Sequence, residues 1–526
     1  MCGNAHNLEF ANEQTRSVSG VHDCLPAQTR RGRLIAPPSV SWRSAKAMKN
    51  QAVFSASMLF SFMRISCVTV LLFTLSACGP GGGESSGPGS NSGSSSGSSG
   101  GSGGASEIRF LAANDGFSGN ELWKTDGTAA GTVLVKDINT AAPGAGSDPG
   151  GFTEFNGATY FHAGDGVNSS QLWKTDGTTA GTVLVKAIDA APGGRSNLYG
   201  FTVLNGALYF SVYKGFGNDL WKTDGTAAGT VLVKSFSGLA GSFPDTFTVF
   251  NGALYFDSND GGGAEVWKTD GTAAGTVLLK EINILTSSYP SGFTVFNGAL
   301  YFSASSLGSN GLAFGLWKTD GTEAGTVQAK DITEGGVDGL TVFNGALYFS
   351  SGHMLWKTDG TAAGTTLLKA INAFPAIFTE FNGALYFSAD DGVNGFELWK
   401  TDGTVAGTAL VKDINPPATG ANSVPHGFTE LNGALYFRAT TSDVNGYRLW
   451  KTDGTTAGTV LVKDINPLDT RAISYPVVFT KLNGALYFHA DDGVNGIELW
   501  KTDGTAAGTQ LLKDICPGTC SGPAGF

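Results

Sequence analysis

Residues 378–414 read FTEFNGALYFSADDGVNGFELWKTDGTVAGTALVKDI. The pair Asn382-Gly383 sits between two short apolar runs, and a two-residue hairpin turn of type I′ needs positive φ at both central positions, which Asn and Gly tolerate. Phe378–Phe381 and Ala384–Ala389 are therefore predicted to be neighbouring strands, called a and b here. Strand b is apolar at nearly every residue, the pattern of a strand covered on both faces. Glu397–Thr401 and Thr408–Ile414 read as strands c and d, joined by a turn built from Asp402, Gly403, Thr404 and Gly407. One unit is thus a four-stranded antiparallel meander with two apolar faces, too small to be stable alone.

The pattern recurs nine times, with register marked by Trp123, Trp173, Trp221, Trp267, Trp317, Trp356, Trp399, Trp450 and Trp500 at spacings of 39 to 51 residues. That period is in the range of propeller blades, and helical periodicity is absent. Units with two apolar faces must stack face to face. Radial stacking gives an all-β propeller of four-stranded antiparallel blades; the alternative is an open β-solenoid, whose coils usually run parallel. The first unit begins at strand b, with Ile108-Arg109-Phe110, and nothing after Ile515 reads as a further strand a. The expected count is nine units, eight complete and one three-stranded; an eight-bladed ring with a spare unit is the competing count.

Glu121-Leu122-Trp123-Lys124-Thr125-Asp126-Gly127-Thr128 and its eight successors resemble the ELWxxDGT repeat of bacterial exported proteins, sometimes called hyalin-like, over residues 107–515. The resemblance implies a fold and an exported location but carries no activity. Within the chain, positions identical in every unit serve the shared blade, so the tryptophans are expected to pack between blades. The turn aspartates Asp126, Asp176, Asp224, Asp270, Asp320, Asp359, Asp402, Asp453 and Asp503 are expected to accept hydrogen bonds from their own turns, a structural role similar to that of the sialidase Asp-box.

Upstream of the repeats, residues 63–78 read MRISCVTVLLFTLSAC, a basic residue and an apolar stretch ending in small residues and a cysteine. The stretch is too short to span a bilayer. Leu75-Ser76-Ala77-Cys78 resembles the bacterial lipobox, which implies that Cys78 is the lipid attachment site and that the membrane, the outer one since Gly79 follows, is a partner. Residues 1–62 show no domain pattern and read as a mis-assigned upstream start or a disordered segment. Residues 79–106, almost wholly Gly and Ser, form a flexible linker with a reach of roughly 30 Å.

Residues 1–78 carry eight of the 33 Lys and Arg and three of the 44 Asp and Glu, leaving 25 and 41 beyond them, a net charge of −16. Such a surface excludes nucleic acid and anionic lipid as ligands. In the tail, residues 516–526, Cys516 and Cys520 either pair as a disulfide or stand as two thiols.

In an a-b-c-d meander the a-b and c-d turns share one end of the blade. The near-constant Asn-Gly and Asp-Gly-Thr turns therefore form one face, and the b-c and d-to-a loops, which differ widely, form the other. The variable face is expected to carry the glycan or protein ligand. One position on strand b samples many residue types, read as Leu111, His162, Ser211, Asp257, Ser303, Ser350, Ser388, Arg438 and His489; a solvated strand end and a channel mouth both suit such a mixture, and the two histidines are expected at the surface. Asp390, Asp391, Asn394 and Glu397, with Asp491, Asp492, Asn495 and Glu498, cluster oxygen ligands as calcium sites do, although the spacing is not that of an EF-hand and acidic turns without metal share it. No nucleophile elbow, phosphate loop, HExxH or dinucleotide fingerprint occurs in the repeats. The expected function is a non-catalytic binding or scaffolding module. The alternatives are a hydrolase or lyase acting on extracellular polysaccharide and a structural envelope or matrix component.

Overall fold

The computed structural model describes residues 107–188, 196–214, 217–236, 247–308, 311–332, 335–371, 377–416, 421–441, 446–467, 476–518 and 522–523. The expectations for residues 1–62, 63–78 and 79–106, and for Cys520, lie outside them.

Among the described residues there are 35 strands in nine sheets, one of three strands and eight of four, and every pairing is antiparallel. Blade 7 is typical, with strands Thr379–Phe381, Ala384–Asp390, Phe396–Thr401 and Ala409–Lys412 in that order across the sheet. All eight Asn-Gly turns have positive φ at both residues, as in Asn382 (47°) and Gly383 (72°). In every blade the c-d pairing slips by one residue at the tryptophan, as where Leu398 faces Lys412 but Trp399 faces Leu410. The bulge sharpens the twist of the outer hairpin.

The core lies between blades. Phe387 and Trp399 of blade 7 pack with Phe343, Tyr348, Leu355 and Leu368 of blade 6, and Tyr386 and Leu398, on the opposite face, pack with Leu435, Phe437 and Trp450 of blade 8. Each sheet therefore contributes one face to each of two cores, which is why its strands are apolar on both sides. Lysines stitch the interfaces: Lys400 Nζ donates to the Gly454 carbonyl at 2.8 Å, Lys412 Nζ to that of Thr459 at 2.8 Å, and Lys369 Nζ sits 5.0 Å from the Trp399 ring centre.

The ring closes through the same contacts. Leu111, Ala113 and Trp123 of blade 1 form a core with Leu482, Tyr487, Leu499 and Leu512 of blade 9. Tyr487 Oη donates to the Gly127 carbonyl at 3.1 Å, and Lys513 Nζ to that of Thr132 at 2.5 Å. The molecule is a closed nine-bladed β-propeller, which removes both the solenoid and the eight-bladed ring.

The a strands are innermost: those of neighbouring blades approach to within 8 Å between Cα atoms, as Ser291–Phe296 does to Val337–Phe343. Blade 1 has no a strand among the described residues. The tail nevertheless departs from the expected absence of pattern after Ile515. Gly522 N donates to the Ile497 carbonyl at 2.9 Å, as Val424 N does to that of Phe396 just before strand a of blade 8, and Gly522 and Pro523 are buried.

Replacing Trp399 by Ala empties a site shared by two blades, at an expected cost of about 3–5 kcal/mol. Gly407→Ala is expected to destabilise as well, because a Cβ there would run into the Asp402 carboxylate. Chemical denaturation of both variants against the parent measures this; a loss below about 1 kcal/mol for Trp399→Ala would be incompatible with the shared-core packing.

Candidate functional site

On the constant face each Asp-Gly-Thr turn is closed by its own side chains. Asp402 Oδ1 accepts from Thr404 N at 2.8 Å and from Thr404 Oγ1 at 2.7 Å, and Gly407 N donates to Thr404 Oγ1 at 2.9 Å. Beneath the turn, the buried hydroxyls of Thr401 and Thr408 meet at 2.7 Å. Hydrogen bonds from the Thr404 side chain and backbone hold the Asp402 carboxyl below the usual carboxylate range, and the other eight turns repeat the arrangement.

Clefts of about 380 Å³ open between blades on this face, where the a-b turn of one blade meets the c-d turn of the next. One is lined by Asn297, Tyr301, Lys318 and Asp320 of blade 5 and by Asp359 and Gly360 of blade 6. Its polar groups are already engaged: Lys318 Nζ and Tyr301 Oη both donate to the Gly360 carbonyl, at 3.0 and 3.3 Å. A glycosidase pair needs one carboxyl kept protonated near neutrality. Asp320 and Asp359 are both held below the usual carboxylate range by their own threonines, so neither carboxyl is the protonated member of such a pair.

The eight candidate calcium ligands are not brought together. Glu397 and Glu498 lie on strand c with their carboxylates turned into the interior, fully buried. Glu397 accepts from Ile414 N at 2.7 Å, Ser423 N at 3.0 Å and Ser423 Oγ at 2.5 Å, and Glu498 accepts from Ile515 N and Cys516 N. Asp391 turns inward on its own loop, taking hydrogen bonds from Val393 N, Asn394 N and Asn394 Nδ2, and Asp492 does the same with Val494 and Asn495. Asp390 and Asp491 accept from Gly392 N and Gly493 N. Among the described residues no group of three or more His, Cys, Asp and Glu is placed to hold a metal. The spacing that suggests calcium reflects a strand-end carboxylate beside an acidic loop that closes on itself.

Sequence reasoning missed the role of Glu397. Where the residue two before the tryptophan is Glu, it reaches across to the d-to-a loop that follows its own blade, as Glu121 and Glu265 also do in blades 1 and 4. The signal was present: this position is Glu in blades 1, 4, 7 and 9 and varies elsewhere (Gln171, Asp219, Gly315, Met354, Arg448), while the Trp-Lys-Thr-Asp-Gly-Thr run that begins two residues later does not. In blade 2 Gln171 Oε1 accepts from Ile188 N at 2.5 Å and its amide donates to Ser196 Oγ at 3.2 Å. In blade 8 Arg448 turns instead to Asp464 at 3.0 Å.

The two histidines are corrected as well. His489 is buried, and burial pushes its pKa down to about 4, as it does for His162. Strand a runs far enough to pair with this position, Gly150 facing His162 and Val477 facing His489, so the side chain enters an interface instead of a solvated strand end. The pairing also shows that Ala112, not Leu111, stands at this position in blade 1, opposite Leu122 as Ser388 is opposite Leu398. Cys516 is buried and disulfide-bonded.

The b-c and d-to-a loops form the opposite face. Among the described residues, nine large apolar side chains are more than half exposed, and eight are on these loops: Phe117, Val167, Ile284, Leu285, Tyr289, Ile377, Val393 and Val494. The ninth, Val405, lies in a c-d turn.

No known protein family matches the chain, and no curated protein does. Similar solved structures include prolyl oligopeptidase B from Galerina marginata (11% identity, TM-score 0.37, 70% of this chain and 50% of that one) and a puromycin hydrolase (12%, 0.35, 68% and 60%). The computationally designed Ika8 protein is similar at 14% identity and TM-score 0.36, over 62% of this chain and 89% of that one. The chain spans little more than half the length of the two natural proteins, and likeness this distant carries nothing about activity.

Burial raises the Glu397 carboxyl to about 7 from an unfolded value of 4.5, with Asp413 adding to the rise against the opposing hydrogen bonds. The folded protein then holds an extra proton between those values, so this group's contribution to stability falls as pH rises from 4.5 to 7. Gln171 shows that an amide fits the same position. Glu397→Gln is therefore expected to melt with the parent below pH 4.5 and above it towards pH 7, by on the order of 2 °C, in thermal unfolding followed across that range. A difference that does not change with pH would overturn this.

Proposed function

We propose that the chain is an exported propeller, tethered to the outer membrane through lipid on Cys78, whose variable loop face is a non-catalytic docking surface. The observation that carries this reading is the segregation of exposed apolar side chains. Phe117, Leu285 and Val393 stand on loops that the invariant blade does not need in any one form, while the constant face keeps its polar groups within its own turns. Large exposed apolar groups on loops held by a rigid scaffold mark interaction sites and favour a protein surface over a polysaccharide. The linker of residues 79–106 would carry that face clear of the bilayer headgroups, and the acidic balance keeps nucleic acid out.

Replacing Phe117, Leu285 and Val393 by Ser is expected to leave the melting temperature within about 2 °C, since none contributes to an interblade core. The same change is expected to abolish photo-crosslinking from a probe at position 167 to a specific partner on intact cells, while Asp402→Asn leaves it unchanged. Crosslinking that survives the triple change, or a specific glycan-array signal that does, would sink the reading.

A further inference from the structure

The penultimate residue of each inner strand points towards the preceding blade and stays in solvent. Register dictates this: Val249 stands opposite Leu254, which packs on blade 3, whereas Phe250 and Tyr255 belong to the core shared with blade 5. The ion pair of Lys481 in blade 9 with Glu430 in blade 8, at 2.6 Å, shows these side chains reaching round the ring from one inner strand to the last. Since the strands are innermost, the solvent they meet is that of the central channel, at the end where the constant turns lie.

Round this mouth the residue types are sorted. Blades 3 to 6 present Val203, Val249, Val295 and Val342, each 42–45% exposed and consecutive on the ring. Blades 7, 8 and 9 present Glu380, Glu430 and Lys481, and blade 2 presents Glu154. Shape and fold require no such sorting, because the Asn-Gly turn after each strand has the same φ pair whichever residue precedes it. One half of the wall is apolar and the other acidic, with Lys481 offset by Glu430. Inner strands of neighbouring blades lie side by side, as Ser291–Phe296 and Val337–Phe343 do, so Val295 and Val342 follow one another along the rim.

We infer that this mouth of the channel is a second docking surface, opposite the variable loops, and that its partner is a basic amphipathic helix. Its apolar face lies on the four valines and its Lys and Arg side chains face Glu380, Glu430 and Glu154, the arrangement by which amphipathic helices seat in grooves. The ring of ionised turn aspartates on the same face steers such a helix towards the mouth.

The test uses the full chain and a designed Leu/Lys helix of about 18 residues, five turns, with a scrambled peptide of the same composition as control, both read by fluorescence anisotropy. The amphipathic peptide is expected to bind at least tenfold more tightly than the scrambled one. Val249→Glu with Val295→Glu should remove that advantage, Val249→Thr with Val295→Thr, which keeps shape and β-propensity, should reduce it several-fold, and Glu380→Gln with Glu154→Gln should weaken binding and flatten its salt dependence. Glu323→Gln, on a turn outside the channel, should change nothing. Equal binding of the two peptides, or full binding by both valine variants, would show non-specific attraction to an acidic protein and overturn the proposal.

Discussion

Each sheet in this protein has two apolar faces and no core of its own, and everything else in the molecule follows from that constraint. Covering both faces demands a neighbour on each side, so the only arrangement of a finite number of blades that leaves none bare is a ring. The aromatic layer of Phe387 and Trp399 on one face and Tyr386 on the other is therefore made of halves, each completed by a different blade. The lysines that donate to carbonyls of the next turn add a polar seam over every such core and fix the angular step from blade to blade.

This division of labour explains where the chain tolerates change. A side chain in an interblade core is constrained by two units at once, and a turn residue such as Gly407, whose added Cβ would meet Asp402, is constrained by one atom's radius. The loops at the other end answer to neither. Glu397 occupies the boundary between these regimes: it anchors the d-to-a loop that follows its own blade through Ile414 N, Ser423 N and Ser423 Oγ, and in blade 2 Gln171 makes the equivalent contacts to Ile188 and Ser196. Blade 8 shows the alternative, with Arg448 paired to Asp464 at the end of strand d.

Strand order, turn type and blade boundaries are legible because they rest on local chemistry. Asn382-Gly383 can hardly be anything but a tight hairpin, and a tryptophan every 39 to 51 residues fixes the register. What the sequence conceals depends on how far one strand runs beside another. His162 and His489 read as solvated because the bulged extension of strand a, which covers them, carries no fixed apolar pattern of its own. Glu397 and Glu498 resemble metal ligands because spacing along a chain does not say that a strand has turned a carboxylate inward. Ring closure is hidden for a different reason: nine similar units say that neighbours stack, and only contacts between residues about 360 positions apart say that the last meets the first.

That last interface sets the order in which the fold can be completed. All strand pairing is confined within a unit, so eight of the nine interfaces join segments adjacent in sequence and cost little loop entropy. The ninth waits for Tyr487 and Lys513, near the end of the chain, to find Gly127 and Thr132 near its start. A chain delivered from its N-terminus must hold Leu111 and Trp123 bare through the arrival of eight further blades. During that interval the growing arc has a sticky face at each end, and each is as well suited to a blade of another copy as to its own partner. Closure thus removes both sticky faces in a single step, each being covered by the other.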